Sequence, residues 1–314
     1  MITPWHTSEQ QLKFQLGDLN LFTISFPVIA CELGVTDDTI EQNGISIEGL
    51  PRVDSNTGYV VRGAPVEDRL PTITVEGKYI HYVTTQYKRY YISLNQSFEE
   101  YKAGFRSKTR STIQRKVRKF ERDHSNRTDF RVYRSPDELD EFFRLAKAVS
   151  DISYQERLLD AGLPSAASTI KCIKKEADGG NVRGYLLLVD GCAVSYLLLI
   201  ASGRTIIYKY LGYLTDYISY SVGTVLHWKA IENLLSEKCF DFLDFTEGEG
   251  EQKRLFSTGY VKCANTYILN NTMKNKLIIR MHMVFNNMSC LLGKGLDGLG
   301  IKSKIRKLIR RAAI

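Results

Sequence analysis

The stretch "SVGTVLHWKAIENLLSEKCFDFLDFTEGEGEQKRLF", residues 221–256, contains the order of elements that decides the fold. Apolar residues at helical spacing predict a helix over 221–238, and the apolar run 240–245 predicts a buried strand. The glycine-rich acidic run after this strand predicts a turn that leads into a short helix. A helix that passes directly into a buried strand is typical of a crossover connection. We therefore expect this strand to run parallel to the strand before the helix.

The residues before this stretch predict antiparallel strands joined by tight turns. Asp190-Gly191 and Ser202-Gly203 separate three apolar runs, as turn dipeptides do in hairpins. Asp190-Gly191 also interrupts the longest apolar stretch, and a membrane span needs about 20 uninterrupted apolar residues. A strand, two helices, three strands and a last strand are predicted at 129–135, 135–150, 165–180, 182–190, 192–201, 204–214 and 261–270. The order β-α-α-β-β-β-α-β-α-β predicts an α+β fold, with a mixed, mostly antiparallel sheet and helices on both faces.

The distribution of β-type and basic segments predicts four parts of the chain. Residues 1–100 are rich in β-branched and aromatic runs, which indicates a β-rich N-terminal domain. Residues 101–127 form a basic connecting helix, and residues 128–272 contain the mixed sheet. Residues 273–314 form a basic helical tail.

Two segments carry most of the positive charge. The net charge is +8, yet residues 273–314 alone contain ten basic residues and one acid, Asp297. The segment 105–122 contains eight basic residues and one acid, Glu121. The remainder of the chain is acidic. This pattern indicates two local anionic partners rather than general affinity for polyanions.

The six cysteines show no metal-binding or disulfide-type spacing. Most of them lie in apolar runs, as Cys192 does in "GCAVSYLLLI", which predicts buried free thiols. The N-terminal "MITPWHTSEQ" does not read as a secretory signal, so we expect a reducing, cytoplasmic location. No grouping of His, Asp and Glu has metal-ligand spacing, and we predict no metal.

Three segments resemble the GNAT acyltransferase superfamily. Within it, they resemble the FemAB-like and CelD/BcsL-like proteins that accompany bacterial cell-surface polysaccharide synthesis. The segments are "SKTRSTIQRKVRKFER" (107–122), "YSVGTVLHWKAIENLL" (220–235) and "FDFLDFTEGEGEQKRLFS" (240–257). The resemblance covers about residues 95–314 and implies a GNAT-like core over 128–272, preceded by a smaller, degenerate GNAT-like part. Two departures are evident: Gln252 replaces the Tyr of the family's motif, and the phosphate-binding loop keeps one of its two glycines.

The resemblance implies that the start of the helix 221–238 binds the diphosphate of acetyl-CoA or another acyl-CoA. The N–H groups of Gly223, Thr224 and Val225 would lie at the positive end of the helix, where anions bind. The alternative is an ordinary helix start with the Ser221 side chain as N-cap. The implied donor-binding residues are Ser221, Val222, Gly223, Thr224 and Val225.

The resemblance also implies catalytic residues on the strand 204–214 and after the strand 240–245. Side-chain alternation places Tyr208 and Tyr210 on one face, where a tyrosine can protonate the leaving thiolate. A carboxylate can act as general base, and a lysine can stabilise negative charge. The alternatives are strand-favouring aromatics and a solvated acidic turn. The candidates are Tyr208, Tyr210, Asp244, Glu247 and Lys253.

The basic helix has an apolar stripe of Ile113, Val117 and Phe120, so its remaining faces carry the basic residues. Arginine forks bind phosphates well, which favours a nucleotide-sugar or a lipid-linked diphosphate as ligand. A solvated basic face is the alternative. DNA is not expected, because no recognition-helix module is apparent. The candidate substrate-binding residues are Arg106, Lys108, Arg110 and Arg115.

The tail ends in "GIKSKIRKLIRRAAI", with Ile301, Ile305 and Leu308 on one apolar stripe among basic residues. Such a helix can lie on an anionic membrane surface, or it can dock on the protein itself. We therefore expect a cytoplasmic protein that associates peripherally with the inner face of the cell membrane.

The combined expectation is an acyl-CoA-dependent N- or O-acyltransferase, in particular an acetyltransferase. It would act by direct transfer, with general-base assistance, on a sugar or nucleotide-sugar of surface polysaccharide synthesis. One alternative is a FemAB-like aminoacyl transferase that uses aminoacyl-tRNA. Another is a non-catalytic GNAT fold that binds a partner or a membrane.

Overall fold

A computed structural model describes residues 5–16, 19–41, 51, 57–125, 127–152 and 162–298. The apolar stripe predicted in the tail, 301–314, lies outside these residues. The strands are β1 (His6–Leu16), β2 (Leu19–Glu32), β3 (Gly58–Pro65), β4 (Ile73–Glu76), β5 (Tyr79–Ser93), β6 (Thr128–Tyr133), β7 (Val182–Val189), β8 (Cys192–Ser202), β9 (Thr205–Tyr213), β10 (Phe242–Asp244) and β11 (Gly259–Asn270).

The helices follow the apolar spacing of the sequence. They are α1 (Asp37–Glu41), α2 (Phe98–Ala103), α3 (Ser107–Asp123), α4 (Pro136–Ile152), α5 (Ala167–Asp178), α6 (Val222–Glu237), α7 (Glu251–Phe256) and α8 (Met273–Gly298), with a 3-10 helix at Thr215–Tyr220. Within the described ranges, none of these helices combines the length and the hydropathy needed to cross a bilayer. The predicted connecting helix consists of two helices, α2 and α3. The chain leaves the helical conformation after Gly104, the C-cap of α2, and α3 begins three residues later.

The chain divides into two compact units. Unit 1 comprises the described residues of Met1–Leu33, Asp38–Lys88 and Val261–Ile314; unit 2 comprises Gly34–Asp37 and Arg89–Tyr260. This division differs from the sequence-based boundaries, which place residues 261–272 with the mixed sheet. The physical reason is strand pairing, since β11 pairs antiparallel with β3 of the N-terminal part.

Unit 1 is β-rich, as the sequence predicts. β1 and β2 form an antiparallel pair, β2 and β3 run parallel, and β4 and β5 form a hairpin that turns at Gly77. Helix α8 packs one face on this unit, where Ile278 and Ile279 join Phe14 and Tyr82 in an apolar cluster. The buried ring of His282 on the same face contacts the Tyr82 hydroxyl through Nδ1 at 2.6 Å.

Unit 2 contains the predicted mixed sheet. Its strand order is the end of β5, then β10, β9, β8, β7 and β6. β10 runs parallel to β9, and the other neighbours run antiparallel, which confirms the predicted sheet. Tyr185 and Leu187 of β7 pack with α3 and α6, whereas Leu186 and Leu188 pack with α4 and α5. Helices therefore cover both faces, and the predicted α+β class is confirmed.

A β-bulge in β9 changes which face its tyrosines occupy. Leu198 of β8 pairs with Tyr210 and the next residue, Leu199, pairs with Tyr208, so Lys209 is an extra residue. Tyr208 consequently packs in the cluster of α6, and Tyr210 packs in the cluster of α4. The prediction that both tyrosines share one face was wrong, because simple alternation fails at a bulge.

The cysteines are less buried than predicted. Cys31 and Cys263 are buried, but Cys172, Cys192 and Cys239 are exposed. Cys192 is exposed because it begins β8, immediately after the turn Asp190-Gly191.

Candidate active site

The strands β9 and β10 separate at the centre of the unit 2 sheet. β10 pairs with β9 only from Thr205 to Ile207 and ends at Asp244. β9 continues for six residues, to Tyr213, without a strand on that side in the described part of the chain. The backbone groups along this edge therefore have no strand partner among the described residues, and a strand edge presents unpaired N–H and C=O groups to which a ligand can bind.

Helix α6 begins close to this edge. A Cβ placed on Gly223 would lie 3.5 Å from Cδ1 of Tyr213, the last residue of β9. Ser221 adopts the left-handed conformation (φ 54°, ψ 44°) and makes no side-chain cap. The alternative of an ordinary helix start with the Ser221 side chain as N-cap is therefore not what the structure shows. Its carbonyl instead accepts the N–H groups of Thr224 and Val225, at 2.8 and 3.1 Å.

This arrangement changes which N–H groups at the helix start are available. The N–H groups of Thr224 and Val225 already have an acceptor in the Ser221 carbonyl. The sequence-based expectation was that both of them, together with the N–H of Gly223, bind the diphosphate. The N–H groups of Val222 and Gly223 occupy the first two helical positions, where no acceptor exists within the helix. Any anion at this helix end would be bound by these two groups.

His227 connects the helix start to α7. Its Nδ1 lies 3.0 Å from the carbonyl oxygen of Gly223 and 2.8 Å from the side-chain amide of Gln252. Its Nε2 is buried without a hydrogen-bond partner among the described residues. Burial lowers the pKa of His227 to about 4, with the hydrogen bond to Gly223 opposing this shift. The ring is therefore neutral at pH 7.

Tyr208 stacks on the His227 ring, with centroids 5.2 Å apart and planes 11° apart. Burial raises the pKa of Tyr208, and the neighbouring Tyr196 and Tyr213 raise it further. Its hydroxyl is therefore protonated at neutral pH and can donate a hydrogen bond. Tyr210 lies on the opposite face and does not share this environment.

Asp244 is bound in a buried ion pair with Arg89. Arg89 Nε donates to both carboxylate oxygens at 3.0 and 2.9 Å, and its Nη2 lies 2.7 Å from Oδ2. Arg89 is 4% exposed and Asp244 is 0% exposed. The N–H of Thr246 donates to Oδ1 at 2.8 Å, and Thr246 itself has a positive φ of 61°. A left-handed β-branched residue is strained, and the Asp244 carboxylate helps to fix this turn.

Lys253 and Glu247 lie in the same turn region as this ion pair. Lys253 Nζ donates to the backbone carbonyl of Glu247 at 2.7 Å, while the side chain of Glu247 is exposed. Burial lowers the pKa of Lys253; the charge of Asp244 opposes this shift and that of Arg89 adds to it. The site therefore places two cations around one buried carboxylate.

Helix α3 is held beside α6 by aromatic contacts. The Trp228 ring of α6 lies 5.1 Å from Phe98 and 6.0 Å from Phe105, just before α3. At the other end, Lys119 Nζ lies 5.0 Å from the Tyr220 ring, which precedes Ser221. The C-terminal half of α3 therefore lies next to the start of α6.

The predicted substrate-binding residues occupy the outer part of α3. Ile113 and Phe120 are buried and Val117 packs against the same cluster, which confirms the predicted apolar stripe. The basic side chains form no ion pair or side-chain hydrogen bond with another described residue, and in particular none with Asp244, Glu247 or Lys253. They are Arg106, Lys108, Arg110 and Arg115.

Three residues of the site were not predicted from the sequence. They are Arg89, His227, which contacts both Gly223 and α7, and Gln252. A basic residue inside the aromatic strand "YKRYYISL" is a signal for Arg89, because an arginine in a buried strand needs a charged partner. In the sequence, Gln252 stands out only because it replaces the Tyr of the family's motif. No sequence pattern indicates that Gln252 contacts His227. Among the described residues, no group of three or more His, Cys, Asp or Glu side chains is arranged to hold a metal ion.

Comparison with known proteins gives a family match for this part of the chain. Residues 107–254 match the family described as "Acetyltransferase (GNAT) domain". None of the curated proteins matches this sequence.

Two solved structures have a similar fold. One is the C-terminal domain of a putative lysylphosphatidylglycerol synthetase from Agrobacterium fabrum, with a TM-score of 0.50, 10% identity, and 82% of each chain covered. The other is FemX, with a TM-score of 0.50 and 9% identity, covering 88% of this chain and 90% of that chain. At this level of identity the likeness shows a shared fold.

Proposed function

We propose that this protein, in which residues 107–254 match the family described as "Acetyltransferase (GNAT) domain", is a transferase that moves an acyl group from acetyl-CoA or another acyl-CoA. The acceptor is an amine or hydroxyl of a sugar or nucleotide-sugar used in cell-surface polysaccharide synthesis. The observation that carries this proposal is the open edge of β9 after Ile207, next to the start of α6. This edge offers backbone donors for a carbonyl, and the helix start offers donors for a diphosphate.

The residues around α6 fit an acyl-CoA. Gly223 has a negative φ, and a Cβ there would meet Tyr213 only at an ordinary distance, so packing alone does not require a glycine. The N–H groups of Val222 and Gly223 would hold the diphosphate. Acyl-CoA supplies an activated acyl group as a thioester.

Tyr208, Lys253 and Glu247 would carry the proton and charge steps. Tyr208 stays protonated and would donate a hydrogen bond to the departing thiolate, which takes its proton from solvent. Glu247 is exposed beside the turn and would accept the proton of the acceptor group. Lys253 would stabilise negative charge near the acyl carbonyl. Asp244 would act as a positioning residue that holds Arg89 and the turn, rather than as the general base.

The basic face of α3 would bind the anionic acceptor. The side chains of Arg106, Lys108, Arg110 and Arg115 have no ion-pair partner among the described residues and are available to bind phosphate. For the location, we propose a cytoplasmic protein that binds the membrane peripherally. The pattern of apolar and basic residues at 301–314 supports this second part.

A thermal-shift titration with acetyl-CoA tests the donor. Binding to the native state at 100 times Kd stabilises it by about 2.7 kcal/mol, so the Tm should rise with acetyl-CoA concentration. Acetyl phosphate, which carries an acetyl group without CoA, is the control and should leave the Tm unchanged. Unchanged Tm values with acetyl-CoA and longer acyl-CoAs would contradict the proposal and favour the non-catalytic alternative.

Aminoacyl transfer from aminoacyl-tRNA is the second candidate function. The unpaired basic residues of α3 favour it, because a basic helix also binds RNA phosphates. In that case tRNA binding should weaken steeply with salt, and acetyl-CoA should not raise the Tm. Filter binding of tRNA over a range of salt concentrations separates the two functions.

A further inference from the structure

Helix α8 of unit 1 has two apolar faces. Its inner face includes Ile278, Ile279 and His282, which are buried in the unit 1 core. Its outer face has an apolar stripe that is exposed: Met273 is 80%, Leu277 61% and Val284 55% exposed. We call this set the outer stripe; it consists of Met273, Leu277, Met281, Val284 and Met288.

The outer stripe is continuous along the helix. Its members follow one another at intervals of four, four, three and four residues, so at 100° per residue they lie within about 80° of arc. Exposed apolar residues scattered singly are ordinary on protein surfaces, whereas a contiguous row marks an interaction surface.

Basic residues border the outer stripe on both sides. By helical spacing, Lys274 lies at one border, and Lys276 and Arg280 lie at the other. Residues 273–289 contain these three basic residues and no acidic residue. An apolar row bordered only by positive charge is complementary to a surface with negative charge above an apolar layer.

An apolar cavity extends the surface beyond Lys276 and Arg280. It has a volume of about 110 Å³ and is lined by Ile73, Val75, Ile80, Lys276, Ile279 and Arg280. Val75 is also among the exposed apolar residues. The stems of Lys276 and Arg280 thus lie against apolar groups while their charged ends reach solvent, as such side chains do at a lipid interface.

We propose that the outer stripe of α8 binds the surface of an anionic lipid bilayer, with the helix lying in the plane of the membrane. A second copy of the chain is a poorer occupant, because pairing two such helices would bring their positively charged borders together, and residues 273–289 offer no acidic residue to pair with them. The outer stripe does not include any of the residues 301–314, and the inference does not depend on the proposed acyl transfer.

Vesicle cosedimentation with the full chain tests this inference. The wild type should sediment with vesicles rich in phosphatidylglycerol and stay in the supernatant with phosphatidylcholine alone. Leu277→Gln/Val284→Gln should weaken binding at least about tenfold, because each exposed side chain loses the gain of apolar burial. The matched control Ile152→Gln/Ile218→Gln removes two exposed isoleucines of unit 2 and should bind like the wild type.

A charge variant provides the second measurement. Lys274→Gln/Lys276→Gln/Arg280→Gln should also weaken binding to the anionic vesicles, with a smaller response to added salt than the wild type shows. Because all five substituted positions are at the surface, circular dichroism should show the wild-type fold. The proposal is overturned if Leu277→Gln/Val284→Gln binds as tightly as the wild type. It is also overturned if this variant only abolishes self-association seen by analytical ultracentrifugation.

Discussion

At the scale of single residues, packing requires a glycine at one position of unit 2 and does not require one at another. A Cβ on Gly212 would lie 2.3 Å from Cε1 of Tyr196, so that glycine is required by packing. A Cβ on Gly223 would meet only an ordinary contact at 3.5 Å. If Gly223 is nevertheless needed, the requirement comes from a ligand.

We therefore expect Gly223→Ala to keep or raise stability, by up to about 1 kcal/mol, because alanine favours the helix. The same variant should raise KM for acetyl-CoA about tenfold, the loss expected when a hydrogen bond to a charged group is disturbed. Urea unfolding and steady-state kinetics measure the two effects.

Gly212→Ala is the matched control. Overpacking against Tyr196 should lower the free energy of unfolding by about 1–3 kcal/mol. If Gly223→Ala were equally destabilising, the glycine would have a structural role and the donor-site assignment would lose its support.

The ion pair of Arg89 and Asp244 gives a second prediction at this scale. Removing one partner leaves a buried charge unpaired, so Asp244→Asn and Arg89→Met should each lower the free energy of unfolding by about 3–5 kcal/mol. The double variant Arg89→Met/Asp244→Leu should recover part of this loss. Denaturant unfolding of the two single variants and the double variant measures these free energies of unfolding.

A general base would behave differently. If Asp244 also removes the acceptor's proton, Asp244→Asn should abolish turnover in addition to lowering the unfolding free energy, whereas a positioning role leaves measurable turnover in the folded fraction of the variant. The sequence could predict that Asp244 ends a buried strand. It could not predict Arg89, because the two residues are 155 positions apart and their pairing depends on the sheet.

At the scale of elements, α3 is the feature that the sequence predicts best. Its stripe of Ile113, Val117 and Phe120 follows from helical spacing alone, and all three contact the core. β9 was predicted less well. Its position followed from apolar composition, but the bulge at Lys209 depends on its pairing with β8 and has no local signal.

The outer residues of α3 provide the prediction at this scale. The variant Arg106→Gln/Lys108→Gln/Arg110→Gln/Arg115→Gln should change the unfolding free energy by no more than about 0.5 kcal/mol, because these side chains form no ion pair within the described chain. Its affinity for UDP-glucose, used as a probe for an anionic acceptor, should fall. The dependence of that affinity on salt should also fall. Titration calorimetry at several salt concentrations measures both quantities.

A control with the same change in net charge uses α4 and α5. The variant Arg144→Gln/Lys147→Gln/Lys171→Gln/Lys175→Gln removes four positive charges from unit 2, away from α3. Equal losses of affinity in both variants would mean that UDP-glucose responds to net charge and not to the basic face of α3.

At the scale of the whole molecule, stability should depend on pH through His227. Its pKa is about 4 in the folded protein and 6.5 in the reference state, so the unfolded chain takes up a proton first as the pH falls. Above pH 6.5, protonation of His227 does not lower the free energy of unfolding. Between pH 6.5 and about pH 4, preferential protonation of the unfolded chain lowers the free energy of unfolding progressively, by about 3 kcal/mol in total.

Burial also lowers the pKa of His81 and His282, which act in the same direction. The His227 contribution is therefore isolated by comparing the wild type with His227→Gln. The unfolding free energy of the variant should fall less steeply between pH 6.5 and 4. Parallel curves for the two proteins would show that His227 is not buried and neutral.

The order of elements was predictable between residues 129 and 270, but their distribution between units was not. The antiparallel run β7–β9 and the crossover through α6 follow from apolar patterns and turn residues that are local in sequence. The assignment of β11 to unit 1 depends on a pairing with β3 that no local pattern records. Long-range pairing of this kind is decided by packing of the complete chain.

That pairing has a consequence for biosynthesis. Gly63 of β3 donates its N–H to the Asn265 side chain of β11, which follows 202 residues later. At a translation rate of about 5–20 residues per second, β3 emerges from the ribosome roughly 10–40 seconds before its neighbour exists. During that interval the edge of β3 that faces β11 has no partner, so we expect chaperones to engage the nascent chain until residue 270 has been made.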